Sequence, residues 1–130
     1  VAALRAPVHA RVLRWEDAWS DALVRVAVTA GTPPSLIVGT DLIYDAAGRA
    51  ALASLLRSLA RLRGKVVAEE FCVMMSWQVR HEAFEDAFFI DLEDAFVTEI
   101  VHEEIVVERF SGEGKSPVRI AEMRPLRATC

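Results

Sequence analysis

The chain has 130 residues, 53% of them hydrophobic, with Lys+Arg 15 against Asp+Glu 19 and a formal net charge of −4. That composition excludes a disordered chain, and no apolar run approaches the ~20 residues of a membrane-spanning helix. The acidic balance argues against a nucleic-acid surface, which needs concentrated positive charge.

At this length the sequence is expected to form one domain that buries roughly two-thirds of its unfolded surface. The start "VAALRAPVHARVLRW" has no continuous apolar core with a cleavage site, so no signal peptide is expected. Cys72 and Cys130 make neither a disulfide framework nor a zinc pattern. A reducing compartment follows: the cytoplasm, or alternatively the nucleus or the mitochondrial matrix. No nucleic acid and no membrane are expected among the partners.

Residues 8–14, "VHARVLR", alternate as a short extended segment, and Trp15, Trp19, Leu23 and Val26 then fall close to helical spacing. "AGTPPS" (30–35) is a loop, since Pro-Pro breaks both helix and ladder. "LIVGTDLIY" is apolar on both faces, as in a parallel strand covered on both sides. Asp45 can cap the following helix, whose Leu52, Leu55, Leu56 and Leu59 make one stripe. Arg57, Arg61 and Arg63 crowd its end, and Gly64 stops it.

"KVVAEEFCVMM" (65–75) reads as the next strand, and Phe84, Phe88 and Leu92 mark a second helix over about 80–94. "FVTEIVHEEIVVERF" (96–110) and "SPVRIAEMRPL" (116–126) flank "SGEGK" as an antiparallel hairpin. The expected class is therefore α/β: parallel strands closed by a C-terminal antiparallel hairpin. The glycines stand at 31, 39, 48, 64, 112 and 114, and none belongs to a G-x-G-x-x-G loop.

Leu13-x-Trp15, "SLIVGTDLIY", Arg80 with Phe88–Phe89, and "FVTEIV", in this order, carry a resemblance over most of the chain. They resemble the C-terminal half of a seven-stranded S-adenosylmethionine-dependent methyltransferase, in particular the methyltransferase-16 (methyltransferase-like 21) family of protein-lysine methyltransferases. The resemblance implies a partial Rossmann-like sheet, with residues 1–130 as that half and the glycine-loop half outside them. It implies S-adenosyl-L-methionine as cofactor, with Trp15 along its adenine and Thr40 touching it. It places Asp41 and Tyr44 bordering the methyl donor and the incoming nucleophile, as the catalytic residues.

The residues also admit plainer readings. Asp41 can cap a turn while Tyr44 packs under the helix, and Trp15 can belong to a core stripe with Trp19 and Leu23. "HEAFED" (81–86) lacks the i+4 histidine of a zinc helix and reads as a solvated acidic face. His102-Glu103-Glu104 reads as an exposed strand face, and Cys72 as a small buried hydrophobe. Two functions from different classes follow. One is protein-lysine N-methyl transfer. The other is a degenerate methyltransferase-like domain serving as a non-catalytic structural or interaction subunit. In the second, a partner covers the exposed sheet edge, with the 69–80 link and the acidic helix as contact surfaces.

Overall fold

A computed structural model describes residues 10, 12–17, 31–107 and 115–127. After a 3-10 turn at Trp15–Asp17 the elements are β1 (Leu36–Thr40), α1 (Ala46–Arg61), β2 (Cys72–Gln78), α2 (Glu82–Asp91), β3 (Phe96–Val107) and β4 (Lys115–Pro125). The fold is α/β, with one open mixed sheet in the order β1-β2-β4-β3. β1 runs parallel to β2, from Leu36 opposite Cys72 to Thr40 opposite Ser76. β4 is antiparallel to both of its neighbours and so lies between the parallel pair and β3.

Period-2 alternation divides β2 between two environments: Val73, Met75 and Trp77 are buried, while Cys72, Met74, Ser76 and Gln78 are half-buried. Register carries the division across the sheet. Ala121 and Met123 stand opposite Met75 and Val73 on the buried side. Onto that side α1 lays Leu52, Leu55, Leu56 and Leu59, and α2 with its C-cap lays Phe88 and Leu92, both fully buried. Edge-on contacts of Phe71 with Phe96 and of Phe88 with Phe89 fill the space between helices and sheet.

Asp45 caps α1 as expected, its Oδ1 accepting the Gly48 N–H at 2.6 Å. Gly64 follows the helix end with φ +80, the left-handed value that glycine adopts without steric cost. The hairpin also forms as expected, with a bulge between Ile100 and His102. The expected loop is irregular over 31–35. The expected helical run through Trp19, Leu23 and Val26 and the "SGEGK" turn lie outside the described residues, apart from the 3-10 turn at Trp15 and Lys115.

Three expectations are corrected. The strand read over 65–75 begins only at Cys72 and continues to Gln78, so "SWQ" is strand rather than link. Val66, Val67 and Phe71 are nonetheless buried, because the irregular connection folds them into the core. The 69–80 stretch is therefore largely a central strand rather than an extended link. β1 is not covered on both sides: Leu36 and Val38 are 53% and 71% exposed, on a sheet face that no described element covers. Lastly, α2 spans Glu82–Asp91, shorter at both ends than the phenylalanine spacing suggests.

The two sheet edges differ in protection. β3 carries Glu99, Glu103 and Glu104 and the bulge, all devices that discourage further strand pairing. β1, "LIVGT", carries no charge and no bulge.

Candidate functional site

β1 ends at Thr40, and the next residue reverses the chain. Asp41 has φ 51, the one non-glycine residue with positive φ among the described residues. This conformation costs an L-residue free energy, and Asp tolerates it better than most. It is held from both sides: the Asp41 N–H donates to the Ser76 carbonyl at 2.9 Å, and Asp41 Oδ1 accepts the Gln78 N–H at 3.3 Å. The carboxylate is thus tied to the end of β2 rather than to the helix, which Asp45 caps.

Two residues on, Ile43 enters the core, and the next residue, Tyr44, turns outward at 67% exposure. That exposure overturns the reading in which Tyr44 packs beneath α1. Beyond β2, the first turn of α2 closes over the same strand ends. Glu85 is 4% exposed, and its two carboxylate oxygens accept the Arg80 N–H at 3.3 and 3.2 Å. A buried carboxylate satisfied by a backbone donor is a structural part of the turn. It corrects the view of "HEAFED" as a wholly solvated face, although His81, Glu82 and Asp86 are exposed.

These turns enclose a cavity of about 180 Å³. Asp41, Tyr44, Arg80 and His81 are its exposed members, while Ile43, Trp77 and Glu85 are buried. Phe84 lines it too, and the Arg49 guanidinium lies 4.4 Å from that ring's centroid while Nη1 donates to the Phe84 carbonyl at 3.2 Å. The cavity shares Tyr44, His81 and Phe84 with an open groove of about 560 Å³, which continues between the first turns of the helices along Asp45 and Glu82.

Trp77 is 3% exposed and tilted against Phe89 at 4.9 Å between centroids. Its indole N–H is the only buried side-chain polar group among the described residues without a hydrogen-bond partner.

The structure brings Asp41 and Tyr44 together in one cavity and places Thr40 and Trp15 elsewhere. Thr40 Oγ1 accepts from Ser76 Oγ at 2.9 Å on the uncovered face of the sheet. Trp15 is half-buried and packs with Leu13 against the core, beside α1. His102 is exposed 3.7 Å from Glu104, as an exposed strand face implies, whereas Glu103 is bound to Arg119 at 2.7 Å. Cys72 is half-buried, on the uncovered face. Trp77 and Glu85 escape sequence reasoning. The signal for Trp77 was the alternation of Val73 and Met75, continued two residues further.

Chemically, the cavity offers a carboxylate beside the exposed Tyr44 ring over an apolar floor. Such a site suits a neutral or cationic amine, whose N–H groups find an acceptor and whose positive charge finds a ring face. No family model matches the chain. No curated protein matches it either.

Proposed function

We propose that this chain supplies the acceptor-side wall of an S-adenosylmethionine-dependent protein-lysine N-methyltransferase. The observation that carries the proposal is Asp41. A strained residue at the carboxyl end of a parallel strand, held by two backbone contacts of β2, shares a cavity with Tyr44. Ligands of open α/β sheets gather at that end of the strands, and backbone strain in folded proteins clusters at functional sites. The order strand, helix, strand, helix, hairpin supports the same reading.

When bound, the cofactor supplies an electrophilic methyl group on a sulfonium. Asp41 accepts a hydrogen bond from the lysine amine and so aims the nitrogen lone pair at that methyl group. Ile43 and Phe84 keep water from the amine, which must be neutral to react. The exposed Tyr44 ring would face the cationic donor and stabilise its positive charge. The proton released from the methylated amine leaves through Asp41 to solvent. Thr40 fits a cofactor contact by its position at the strand end, and Trp15 keeps part of its ring accessible for stacking. No glycine-rich cofactor loop lies within the 130 residues. The proposal therefore draws that loop from other polypeptide.

Calorimetric titration of the full protein with S-adenosylmethionine and with its demethylated product tests this function. Saturable heat with either supports it, and the absence of binding by both overturns it. A second reading, a non-catalytic interaction subunit, is favoured by β1. Its uncharged outer edge and the exposed Leu36 and Val38 suit a partner subunit that covers them.

A further inference from the structure

Arg49 stands where the local electrostatics of the fold disfavour a cation. It is the fourth residue of α1, whose first turn carries no acidic side chain, and its guanidinium reaches the first turn of α2. Both places are positive ends of helix dipoles, where a positive side chain loses free energy. The acids of the α2 turn are engaged elsewhere: Glu82 is bound by Arg119, and Glu85 by the Arg80 N–H. Arg57, about two turns further along α1, takes the favourable end instead. It donates to the Asp91 carbonyl at the end of α2 and pairs with Asp94 at 3.4 Å.

A residue that breaks a local rule needs a compensating contact, and for Arg49 the contact is Phe84. The guanidinium lies 4.4 Å from the ring centroid, and Nη1 donates to the Phe84 carbonyl at 3.2 Å. Ring and backbone of one residue are thus held by a single side chain from the neighbouring helix. Phe84 lines both the Asp41 cavity and the groove, so its ring stands where the two spaces join, opposite the exposed Tyr44 at the α1 entrance. Arg49 lines neither space. The α2 turn has no side-chain cap at His81, and Arg119 ties it to the hairpin rather than to α1. Arg49 therefore sets the approach of the Phe84 wall to the Tyr44 wall.

We infer that Arg49 is a positioning residue of the acceptor site: it fixes the Phe84 ring, and with it the opening through which an amine enters the Asp41 cavity. It touches neither the amine nor the methyl donor and acts through Phe84. The inference rests on the methyl-acceptor reading of Asp41, yet it concerns amine binding and is measured without cofactor.

The experiment is titration of the full protein with Nα-acetyl-lysine amide, followed by ligand-observed NMR, alongside thermal unfolding of each variant. Arg49 is half-buried rather than in the core, so its variants should fold. Arg49→Ala is expected to weaken the probe about fivefold, the order of ordering one freed side chain on binding. The sign is diagnostic, because removing a nearby positive charge would by itself favour a cationic amine. Arg49→Lys keeps a cation over the ring and should recover at least half of the loss. Arg57→Ala removes a comparable tie at the other end of α2, so it should lower stability by a similar amount and leave probe affinity unchanged. Unchanged or tighter binding by Arg49→Ala, no recovery by Arg49→Lys, or an equal loss of affinity in Arg57→Ala overturns the inference. If Asp41→Asn weakens the probe and Arg49→Ala does not, the acceptor reading stands and the inference alone falls. A parent protein that does not bind the probe overturns both.

Discussion

Asp41 permits structural and chemical roles to be separated by substitution. Its left-handed backbone and its contact with the Gln78 N–H are independent contributions, and each replacement removes a different combination. Asn tolerates positive φ and keeps an oxygen for Gln78, so Asp41→Asn should change stability by no more than about 0.5 kcal/mol. Gly loses the hydrogen bond, a long and exposed one worth about 0.5–1 kcal/mol. It also relieves about 1 kcal/mol of backbone strain and adds a similar unfolded-state entropy cost. Asp41→Gly should therefore fall within about 1 kcal/mol of the parent. Ala loses the bond and keeps the strain without the local tolerance of Asp, so Asp41→Ala should cost about 1–2 kcal/mol. Urea unfolding of the variants gives the order Asn, then Gly, then Ala. Ala equal to or more stable than Gly would refute the argument that φ 51 strains this position. On the proposed function, all three variants should keep cofactor binding and lose methyl transfer by about a hundredfold or more. Unchanged turnover of Asp41→Asn would remove the carboxylate from the acceptor site.

Phe88→Ala, at a fully buried position between α2 and the sheet, should cost about 3–5 kcal/mol by urea midpoint. A loss below about 1 kcal/mol would mean the α2 packing is wrong. Gly64→Ala should cost about 1–2 kcal/mol from φ +80 alone, because the close Glu69 oxygen belongs to a flexible, exposed side chain that can move away. Trp77→Phe deletes a buried donor that has no acceptor but also leaves unfilled volume beside Phe89, so the two effects offset and thermal unfolding should show a change within about 1 kcal/mol. A loss above about 3 kcal/mol, more than the missing ring volume accounts for, would refute the absence of an acceptor. Arg119→Met should cost about 1–2 kcal/mol, since its carboxylate partners are exposed enough for water to replace it. The hydrogen bond that Arg119 donates to Glu103 is the main cause that raises the Arg119 pKa above its ordinary value. A raised folded-state pKa gives stability that is fully present below the unfolded value and lost only as pH rises through the folded one. Arginine titration should thus add no pH dependence to the Arg119→Met difference between pH 6 and 9.

The leucine stripe of α1, its Asp45 cap and the hairpin were legible because each rests on a local rule: helical period, capping chemistry, two strands about a glycine turn. β2 was misplaced because Val66, Val67 and Phe71 are buried without being strand. An apolar run reports burial more directly than it reports backbone conformation. The strand's true end carries Ser76 and Gln78, polar residues that alternate with Met75 and Trp77 and interrupt the run. Asp41 and Tyr44 were legible as a strand-end pair. Their companions Trp77 and Glu85 were not, because the cavity arises only when the α2 turn closes over β2, a long-range event with no local sequence signal.

That assembly assigns the two sides of the sheet different tasks on the proposed reading. Thr40 bonds Ser76 on the uncovered face, whereas the reversal at Asp41 carries Tyr44 into the cavity walled by α2. On that reading the acceptor wall is held by contacts among the described residues: Asp41 is fixed by β2, Glu85 by Arg80, and Phe84 by Arg49. The donor side is built differently. Thr40 lies on the face where Leu36 and Val38 remain exposed, so cofactor affinity must depend on whatever polypeptide covers that face. Polar substitution of Val38 should therefore weaken cofactor binding, measured by calorimetry, through the covering surface while leaving the Asp41 cavity intact. Unchanged affinity would mean that the surface over Val38 takes no part in the donor side.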